Sequence, residues 1–235
     1  DLWQPASKNM LTIKSLSRQR EQLISQRTRV MNQLHAHRHG ACKSPQIILR
    51  YESLIELYEE MSEQIEREME QLMKQETTLQ NSVEHLTSLH GIGLVTALTI
   101  IAEMDGFRLF TSRSQVVSYA GYDIERKQSG SSLNSQGRIS KRGNAHIRRA
   151  LYMPSISAVS KPGIFKDIYD RIVERTGKKK MGLVAVQRKL LTTMYALQKN
   201  GTNYQADYRE IPKNEVGKPN DLPTVTTLLE SVLVS

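Results

Sequence analysis

Apolar residues recur every seven positions in the first part of the chain. The repeat consists of Leu16, Leu23, Val30 and, one helical turn further on, Leu34. This spacing returns a side chain to the same face of a helix on every second turn, so it predicts a long helix over residues 7–37. Arg20 and Arg27 occupy intermediate positions of this seam, which is therefore imperfect.

A second apolar pattern follows a break at residues 38–45, where Gly40 and Pro45 interrupt a helix. Its members are spaced by three and four residues and include Ile47, Tyr51, Leu54, Tyr58, Met61, Ile65 and Leu72. They predict a second helix over residues 46–79. Two such helices joined by a short turn form an antiparallel hairpin, each about 45 to 50 Å long. Because the seam is too narrow for a full globular core, we favour a dimerisation arm over a spacer.

Residues 86–103 have the pattern of a helix, a tight turn and an apolar helix. The turn contains the spacing of a helix-hairpin-helix DNA-binding motif, carried by Leu89, Gly91, Ile92, Gly93 and Ala97. Gly91 and Gly93 would let the backbone approach a phosphate, and the free N–H groups of the second helix would point at it. The alternative is a buried turn between core helices.

Further elements follow from the apolar spacing and from the positions of Ser, Gly and Pro. We expect helices over residues 107–119, 145–160, 165–175 and 181–198, an exposed loop with short flanking strands over residues 123–140, and an extended tail. In the helix over 145–160, Ile147, Leu151 and Ile156 are expected to face inward, and Pro154 is expected to kink it.

These elements predict a mainly α fold in three parts. A coiled-coil helical hairpin occupies residues 1–80. A helical domain with the helix-hairpin-helix motif and the Ser/Gly-rich loop occupies residues 81–200. A partly extended C-terminal tail occupies residues 201–235.

The positive charge of the chain is concentrated in one segment. The whole chain has a net charge of +9, whereas residues 120–190 contain 16 Lys and Arg against 5 Asp and Glu, a net of +11. A localised basic face is typical of a nucleic-acid-binding protein. An anionic membrane surface is a weaker alternative, because no basic amphipathic helix with an aromatic-rich face is present. We therefore expect nucleic acid and no membrane as a partner.

Four potential metal ligands lie around the break between the first two helices. They are His35, His37, His39 and Cys42. On a helix His35 and His37 point to different sides, and no second cluster completes a zinc site. We therefore predict no metal site in this chain. The single cysteine excludes an internal disulfide and is typical of a reducing cytoplasm.

The candidate chemistry lies in the basic segment. Residues 128–132, Gln-Ser-Gly-Ser-Ser, are followed by the run Ile139-Ser140-Lys141-Arg142-Gly143-Asn144. Hydroxyls beside fixed cations suit phosphodiester chemistry, which needs a nucleophile and positive charge at its transition state. Because serine is common, these residues alone favour an ordinary solvated loop.

About half of the chain, residues 86–199, resembles the transposases of insertion-sequence family one-ten, the bridge-RNA-guided DNA recombinases. The matching features are Leu89-His90-Gly91-Ile92-Gly93, Tyr119-Ala120-Gly121-Tyr122, Ser129-Gly130, and the run from Ile139 to Asn144 followed by Ile147-Arg148. The opening Leu2-Trp3-Gln4-Pro5 and the helical hairpin also resemble the region that joins the two catalytic parts of that family.

The resemblance implies that Ser129, eleven positions before Ser140, attacks a DNA phosphodiester and becomes joined to one DNA end. Ser131 and Ser132 remain alternatives, since a one-residue gap would shift the match. The implied nucleic-acid-binding residues are Gly91, Gly93, Lys141, Arg142, Gly143, Asn144, Arg148 and Arg149. Gly143 would allow close backbone approach, and Asn144 would cap the following helix.

The family also has a RuvC-like domain whose four acidic residues bind magnesium and precede the Leu-Trp-Gln-Pro region. We expect Mg²⁺ in the full-length enzyme and no cofactor in this 235-residue chain, which would bind DNA or RNA without recombining. Further implied partners are a structured guide RNA and a second copy of the chain, as a dimer or tetramer. The expected location is the prokaryotic cytoplasm, associated with the nucleoid.

Two other classes of function remain open at this stage. The chain is a non-catalytic nucleic-acid-binding module if Ser129 is inert. It is a structural coiled-coil protein if its basic end is incidental, although the localised charge argues against this alternative.

Overall fold

A computed structural model describes residues 7–41, 43–125, 128–129, 133–134 and 138–205 of the chain. The predicted mainly α class is confirmed. The helices are α1 Lys8–His39, α2 Pro45–Lys74, α3 Thr77–Thr87, α4 Leu94–Glu103, α5 Arg113–Ala120, α6 Ala145–Ala150, α7 Tyr152–Val159, α8 Ile164–Thr176 and α9 Lys179–Asn200. Four two-residue strands lie between α5 and α6, namely β1 Ile124–Glu125, β2 Gln128–Ser129, β3 Leu133–Asn134 and β4 Arg138–Ile139.

Helix α1 begins and ends close to the predicted limits. The Ser7 hydroxyl accepts a hydrogen bond of 3.2 Å from the Met10 N–H and caps the first turn. The four residues of the seven-residue repeat are buried, together with Ile13. The repeat therefore marks the face of α1 that packs against the rest of the molecule.

Helices α1 and α2 pack along their length as an antiparallel pair, called here the arm. Three ion pairs connect them: Arg20 with Glu66, Arg27 with Glu59, and Arg38 with Glu52. From one ion pair to the next, the residue number of the α1 partner rises while that of the α2 partner falls. The two helices therefore run antiparallel. Arg20 and Arg27, which interrupt the apolar seam, thus face partners on α2. Each exposed pair contributes only about 0.2 to 1 kcal/mol, so the pairs determine register more than stability.

Helix α2 is shorter than predicted, because it ends at Lys74 rather than at residue 79. Glu76 adopts an extended conformation (φ −134°, ψ 101°) and separates α2 from α3. No Gly or Pro marks this break, and the apolar spacing continues across it. Leu79, predicted as the end of α2, is instead 2% exposed and anchors the start of α3 in the core.

The core is built around α4 and α9, which are packed by the surrounding helices. Helix α4 contacts α1, α3 and α6, and α9 contacts α3, α5, α7 and α8. Leu98, Ile100 and Ile101 from α4 and Leu190 and Leu191 from α9 are at most 1% exposed. Each such side chain stabilises the fold by about 1.5 to 3 kcal/mol relative to exposure.

The helix predicted over residues 145–160 is two helices, α6 and α7, divided at Leu151. Pro154 lies in the first turn of α7, where a missing N–H is tolerated, so it follows the break rather than kinking a continuous helix. Ile147 and Leu151 are buried as predicted. Ile156 was expected to face inward but is 38% exposed, because the break rotates the helical face that follows it.

The serine- and glycine-rich segment begins and ends in short antiparallel pairs. Strand β1 pairs with β4, with Ile124 opposite Ile139, and β2 pairs with β3, with Ser129 opposite Leu133. Short strands were predicted at the flanks of this segment. The backbone pairs return the chain to its starting point, so residues 140–144 lie next to the end of α5.

Among the described residues, no helix is both long and apolar enough to cross a bilayer. The proposed division at residues 80 and 200 stays a prediction, and most of the predicted tail, residues 206–235, lies outside the described part of the chain. The same applies to Cys42. His37 lies at the end of the arm, where its Nε2 accepts a hydrogen bond of 3.1 Å from the Ser44 N–H.

Candidate functional site

Residues 140–144, which carry the predicted phosphate ligands, are fixed by backbone hydrogen bonds to the residues that end α5. The Ser140 N–H donates to the Asp123 carbonyl at 2.7 Å, and the Asn144 N–H donates to the Tyr119 carbonyl at 2.7 Å. Between them the Lys141 N–H donates to the Gly121 carbonyl at 3.1 Å. We call residues 140–144 the basic turn. Its position is therefore set by the Tyr-Ala-Gly-Tyr segment rather than by its own side chains.

Gly143 lies against the backbone of the chain itself. A Cβ atom at Gly143 would stand 2.2 Å from the Tyr119 carbonyl oxygen and 2.3 Å from the Gly121 nitrogen. Gly121 ends α5 with φ of +72°, a left-handed conformation that favours glycine. The close approach predicted for Gly143 is thus made to residues 119–121. A role toward phosphate remains a prediction.

Arg148 holds the basic turn from the other side. Its Nη1 donates to the Ala120 carbonyl at 2.7 Å and to the Gly143 carbonyl at 3.0 Å, and its Nη2 donates to the Lys141 carbonyl at 3.1 Å. Three of its five donors are therefore used within the chain. The predicted phosphate contact of Arg148 would have to use the donors that remain.

Lys141 adopts a left-handed backbone conformation, with φ of +56°. Residues other than glycine rarely take this conformation, which costs on the order of 1 kcal/mol. The cost is offset by the hydrogen bonds of its N–H and carbonyl to Gly121 and Arg148. Strained residues of this kind cluster at functional sites, so Lys141 supports a functional assignment of the basic turn.

Asn144 caps α6 as predicted and also contacts a buried acid. Its Oδ1 accepts hydrogen bonds from the N–H groups of His146 (2.9 Å) and Ile147 (3.4 Å). Its Nδ2 donates to Glu103 Oε2 at 2.7 Å. Both ends of the amide are therefore engaged, which fixes the start of α6 relative to α4.

Glu103 joins three parts of the molecule. Its carboxylate is fully buried and receives two hydrogen bonds from Arg18 on α1, at 2.7 and 2.9 Å. Lys14 Nζ lies 3.6 Å away, and the Tyr119 hydroxyl donates to the Glu103 backbone carbonyl at 3.2 Å. Burial raises the pKa of Glu103, but the hydrogen bonds from Arg18 and Asn144 and the nearby positive charges outweigh it and lower that pKa below its ordinary value.

A second carboxylate connects the arm to α6. Glu21 on α1 contacts His146 Nδ1 at 2.5 Å and forms an ion pair with Arg149. The charge of Arg149, a predicted phosphate ligand, is thus partly compensated within the chain. Together Glu103 and Glu21 fix the orientation of the arm relative to the basic turn.

A cleft with a volume of about 810 Å³ opens between α1, α5 and the basic turn. Its polar lining includes Arg18, Asp123, Ser140, Arg142 and His146. The volume is that of a typical ligand site, and the lining provides both cations and hydrogen-bonding groups. The phosphate-binding roles predicted for Lys141 and Arg142 stay predictions, and of the two residues Arg142 lines this cleft.

Ser129 lies in β2, at the far end of the paired strands from the basic turn. Only its backbone is described, and Ser131 and Ser132 lie outside the described residues. Ser129 is five positions after Ile124 at the base of the strands, so the two lie within about 18 Å of each other. The nucleophile role stays a prediction.

The glycines of the predicted helix-hairpin-helix turn differ in their surroundings. Gly91 has φ of +89°, and a Cβ there would lie 3.1 Å from the Pro154 carbonyl oxygen, so it allows close packing on α7. Gly93 begins α4 and has no neighbour within 4 Å of an added Cβ. It opens into a second cleft that is also lined by Glu63, Glu66, Arg67 and Glu70. The phosphate contact predicted for Gly91 and Gly93 stays a prediction.

Part of the chain is similar to a known family of proteins. Residues 83–170 match the family model described as "Transposase IS116/IS110/IS902 family", a region that contains β1–β4, the basic turn and Arg148.

Two curated relatives extend the match to the arm. The pilin gene-inverting protein of Moraxella bovis is 29% identical over 201 residues, which cover 83% of this chain and 59% of the relative. The homologous protein of Moraxella lacunata matches with the same values. An IS110 insertion element protein of Streptomyces coelicolor is 25% identical over 121 residues, or 52% of this chain and 30% of the relative. The chain therefore spans about 59% of the length of the Moraxella relatives.

Glu103 and its charged partners Arg18 and Lys14 were absent from the site predicted from the sequence. The available signal was a lone acid that ends the apolar stretch 91–102. A helix that is apolar on all faces is buried, so an acid on its last turn requires a buried partner. That partner is Arg18, which lies 85 residues away in the sequence, so residue spacing could not identify it.

Replacing Glu103 by glutamine should destabilise the protein by about 2 kcal/mol at neutral pH, because a neutral amide leaves Arg18 and Lys14 without a counter-charge. The pKa of Glu103 is lowered in the folded state, so its contribution is present above the ordinary value of 4.5 and declines as pH falls below it. Urea unfolding should show that the free energies of unfolding of wild type and variant differ less at acidic pH than at neutral pH.

The matched control for this experiment is Glu84→Gln on α3, where the acid is exposed. This variant should unfold like the wild type at both pH values. An equal loss in the two variants would contradict the role assigned to Glu103.

Proposed function

We propose that this chain carries the DNA-cleaving and DNA-joining part of a transposase, with Ser129 as the nucleophile. The observation that supports this proposal is the connection between the strand-borne serine and the basic turn. Strand β4 ends at Ile139, and the next five residues form the turn that Gly121, Gly143 and Arg148 hold in a strained conformation. The segment that carries Ser129 would thereby be connected directly to fixed cations.

The proposed chemistry transfers a phosphoryl group from a sugar oxygen to the serine oxygen, and then from the serine oxygen to the hydroxyl of an incoming strand. The Ser129 hydroxyl loses its proton as its Oγ forms a bond to phosphorus. The bond from phosphorus to one sugar oxygen breaks, and that oxygen takes up a proton and leaves as a hydroxyl. The hydroxyl of an incoming strand then attacks the same phosphorus and releases serine. One phosphate ester is broken for each one formed, so no nucleotide hydrolysis is required.

The cations of the basic turn would have two different roles. Lys141 and Arg142 would contact the scissile and flanking phosphates and stabilise the charge that develops during transfer. Arg148 would act mainly by positioning, because most of its donors hold carbonyl oxygens of the turn. Arg149 would exchange its ion pair with Glu21 for a contact with a DNA phosphate.

Magnesium is implied by the resemblance, but the described residues do not fit it. Within the described ranges, no three His, Cys, Asp or Glu side chains converge in a way that could hold a metal ion. No step proposed here passes through a metal. We therefore expect this chain alone to bind DNA without completing strand transfer, and transfer by the isolated chain with magnesium would contradict that expectation.

A guide RNA and a second copy of the chain complete the proposal. RNA guidance rests on the resemblance alone. Pairing of two copies through the arm is supported by apolar side chains that the arm leaves exposed. These include Met31 (42%), Leu49 (61%), Leu54 (39%) and Leu57 (48%). Because isolated apolar residues are common on surfaces, it is their concentration on one arm that favours association.

A covalent trap tests the proposed function. The full-length protein is incubated with a DNA substrate whose released strand diffuses away, so that rejoining is prevented. The protein is then digested, and the nucleotide-bearing peptide is identified by mass spectrometry. Modification within residues 128–134 supports the proposal. Absence of any adduct, with DNA binding that weakens steeply as salt rises, would favour the non-catalytic binding module instead.

A further inference from the structure

A second group of cations lies on the surface formed by the end of α8 and the start of α9. Arg171, Arg175, Lys179 and Lys180 are exposed. In the described part of the chain, no salt bridge joins any of the four to a carboxylate. Among the acids of α8, Asp170 pairs with Lys166, and Glu174 directly precedes Arg175 in the sequence. We call this group the α8–α9 cation cluster.

These cations occupy positions that are unfavourable for the isolated protein. Arg171 and Arg175 are four residues apart on α8, so their like charges lie on one face and repel. Lys179 and Lys180 stand in the first turn of α9, which contains no acidic residue. The N-terminus of a helix carries partial positive charge and favours acids there. An external anion would relieve both repulsions.

The position of the cluster relative to the basic turn follows from α9. The Tyr122 hydroxyl donates to Gln187 Oε1 at 3.0 Å, and Tyr122 directly follows Gly121, which receives the hydrogen bond from Lys141. Lys179 precedes Gln187 by eight residues on the same helix. At 1.5 Å per residue the cluster lies about 12 Å along α9 from the level of Tyr122. The two cationic groups are thus close but distinct.

We propose that the α8–α9 cation cluster binds the phosphate backbone of duplex DNA that flanks the DNA held at the basic turn. Because the two cationic groups lie at different points of the molecule, they would contact different phosphates of one duplex. The location of this second contact rests on the proposed function, whereas its affinity for DNA does not require cleavage.

The composition of the cluster favours nucleic acid over a lipid surface. Its four members are cations without an aromatic residue among them, and the nearby Tyr169 packs against Gly182 in the α8–α9 interface. Membrane-binding surfaces combine basic residues with apolar anchors that enter the lipid. Phosphate backbone contacts require only the cations and are independent of base sequence.

The double variant Lys179→Gln with Lys180→Gln tests the proposal. Affinity for a duplex DNA of unrelated sequence is measured by fluorescence anisotropy over a series of salt concentrations. Loss of two phosphate contacts should lower the slope of log affinity against log salt by about two and weaken binding about tenfold. The melting temperature should be unchanged or higher, because the variant removes repulsion at the helix start.

The matched control is Lys8→Gln with Lys43→Gln, which makes the same charge change at exposed lysines beside the starts of α1 and α2. The control should keep the wild-type slope. Equal slopes in the two double variants would overturn the proposal. So would a loss confined to a structured RNA of the same length, which would assign the cluster to RNA. If the covalent trap yields no adduct but the Lys179→Gln, Lys180→Gln variant has an altered salt slope, Ser129 is rejected as the nucleophile. The cluster then remains a DNA contact.

Discussion

Replacing Ser129 by alanine is expected to abolish the covalent protein–DNA adduct and to leave DNA affinity unchanged. The variant lacks the oxygen that would join the phosphorus atom, whereas the basic turn and Arg148 stay in place. Removal of a nucleophile typically lowers the rate of the chemical step about a thousandfold or more. The measurement is adduct formation with the trapping substrate in the full-length protein, with binding measured in parallel.

The neighbouring serines provide the matched controls for this experiment. Ser131→Ala and Ser132→Ala remove one hydroxyl each from the same segment and should retain the adduct. An adduct that persists in Ser129→Ala but disappears in one of these variants would transfer the nucleophile assignment to that residue. An adduct that persists in all three would reject a serine nucleophile from this segment.

Replacing Gly143 by alanine is expected to lower the free energy of unfolding more than the addition of one methyl group at any other position of the basic turn. The new Cβ would stand 2.2 Å from the Tyr119 carbonyl oxygen, and backbone atoms cannot move aside as a flexible side chain can. We expect a loss of about 3 kcal/mol or more, measured by denaturant unfolding, because overpacking against backbone displaces the chain. DNA binding should fall as well, since the turn that holds Lys141 and Arg142 is displaced.

Gly93→Ala is the corresponding control. Its added Cβ meets no atom within 4 Å and its φ of −88° suits any residue, so the variant should lose less than about 1 kcal/mol. Equal stability of the two alanine variants would contradict the packing assigned to Gly143.

The elements predicted best from the sequence are those in which a single periodicity determines both structure and burial. The repeat of Leu16, Leu23 and Val30 predicted α1 within two residues at its C-terminal end, and its members are buried. The end of α2 was missed because the chain breaks at Glu76 through an extended backbone conformation that no Gly or Pro announces. The local spacing of apolar residues gives no information about a helix break that tertiary packing imposes.

The candidate site shows the same limit more clearly. Asn144 was recognised as a helix cap because capping is a local function of an amide before a helix. The partners of Arg148 are carbonyl oxygens of residues 120, 141 and 143, and any residue type supplies such an oxygen. The sequence therefore contains no signal that this arginine positions the turn. Gly143 was expected to permit a close approach to phosphate, which stays a prediction, and its close neighbour in the structure is the Tyr119–Gly121 backbone.

Within the described part of the chain, the side-chain contacts that fix the arm to the other helices lie near one of its ends. Lys14, Arg18 and Glu21 hold that end through Glu103, His146 and Arg149. Beyond Glu21, α1 continues for about 27 Å beside α2. Deletion or insertion of seven residues in both helices changes this length by about 10 Å and leaves every side chain on its original face. In the proposed pair of copies joined through their arms, the distance between the two basic turns could therefore change without any change in the residues of those turns.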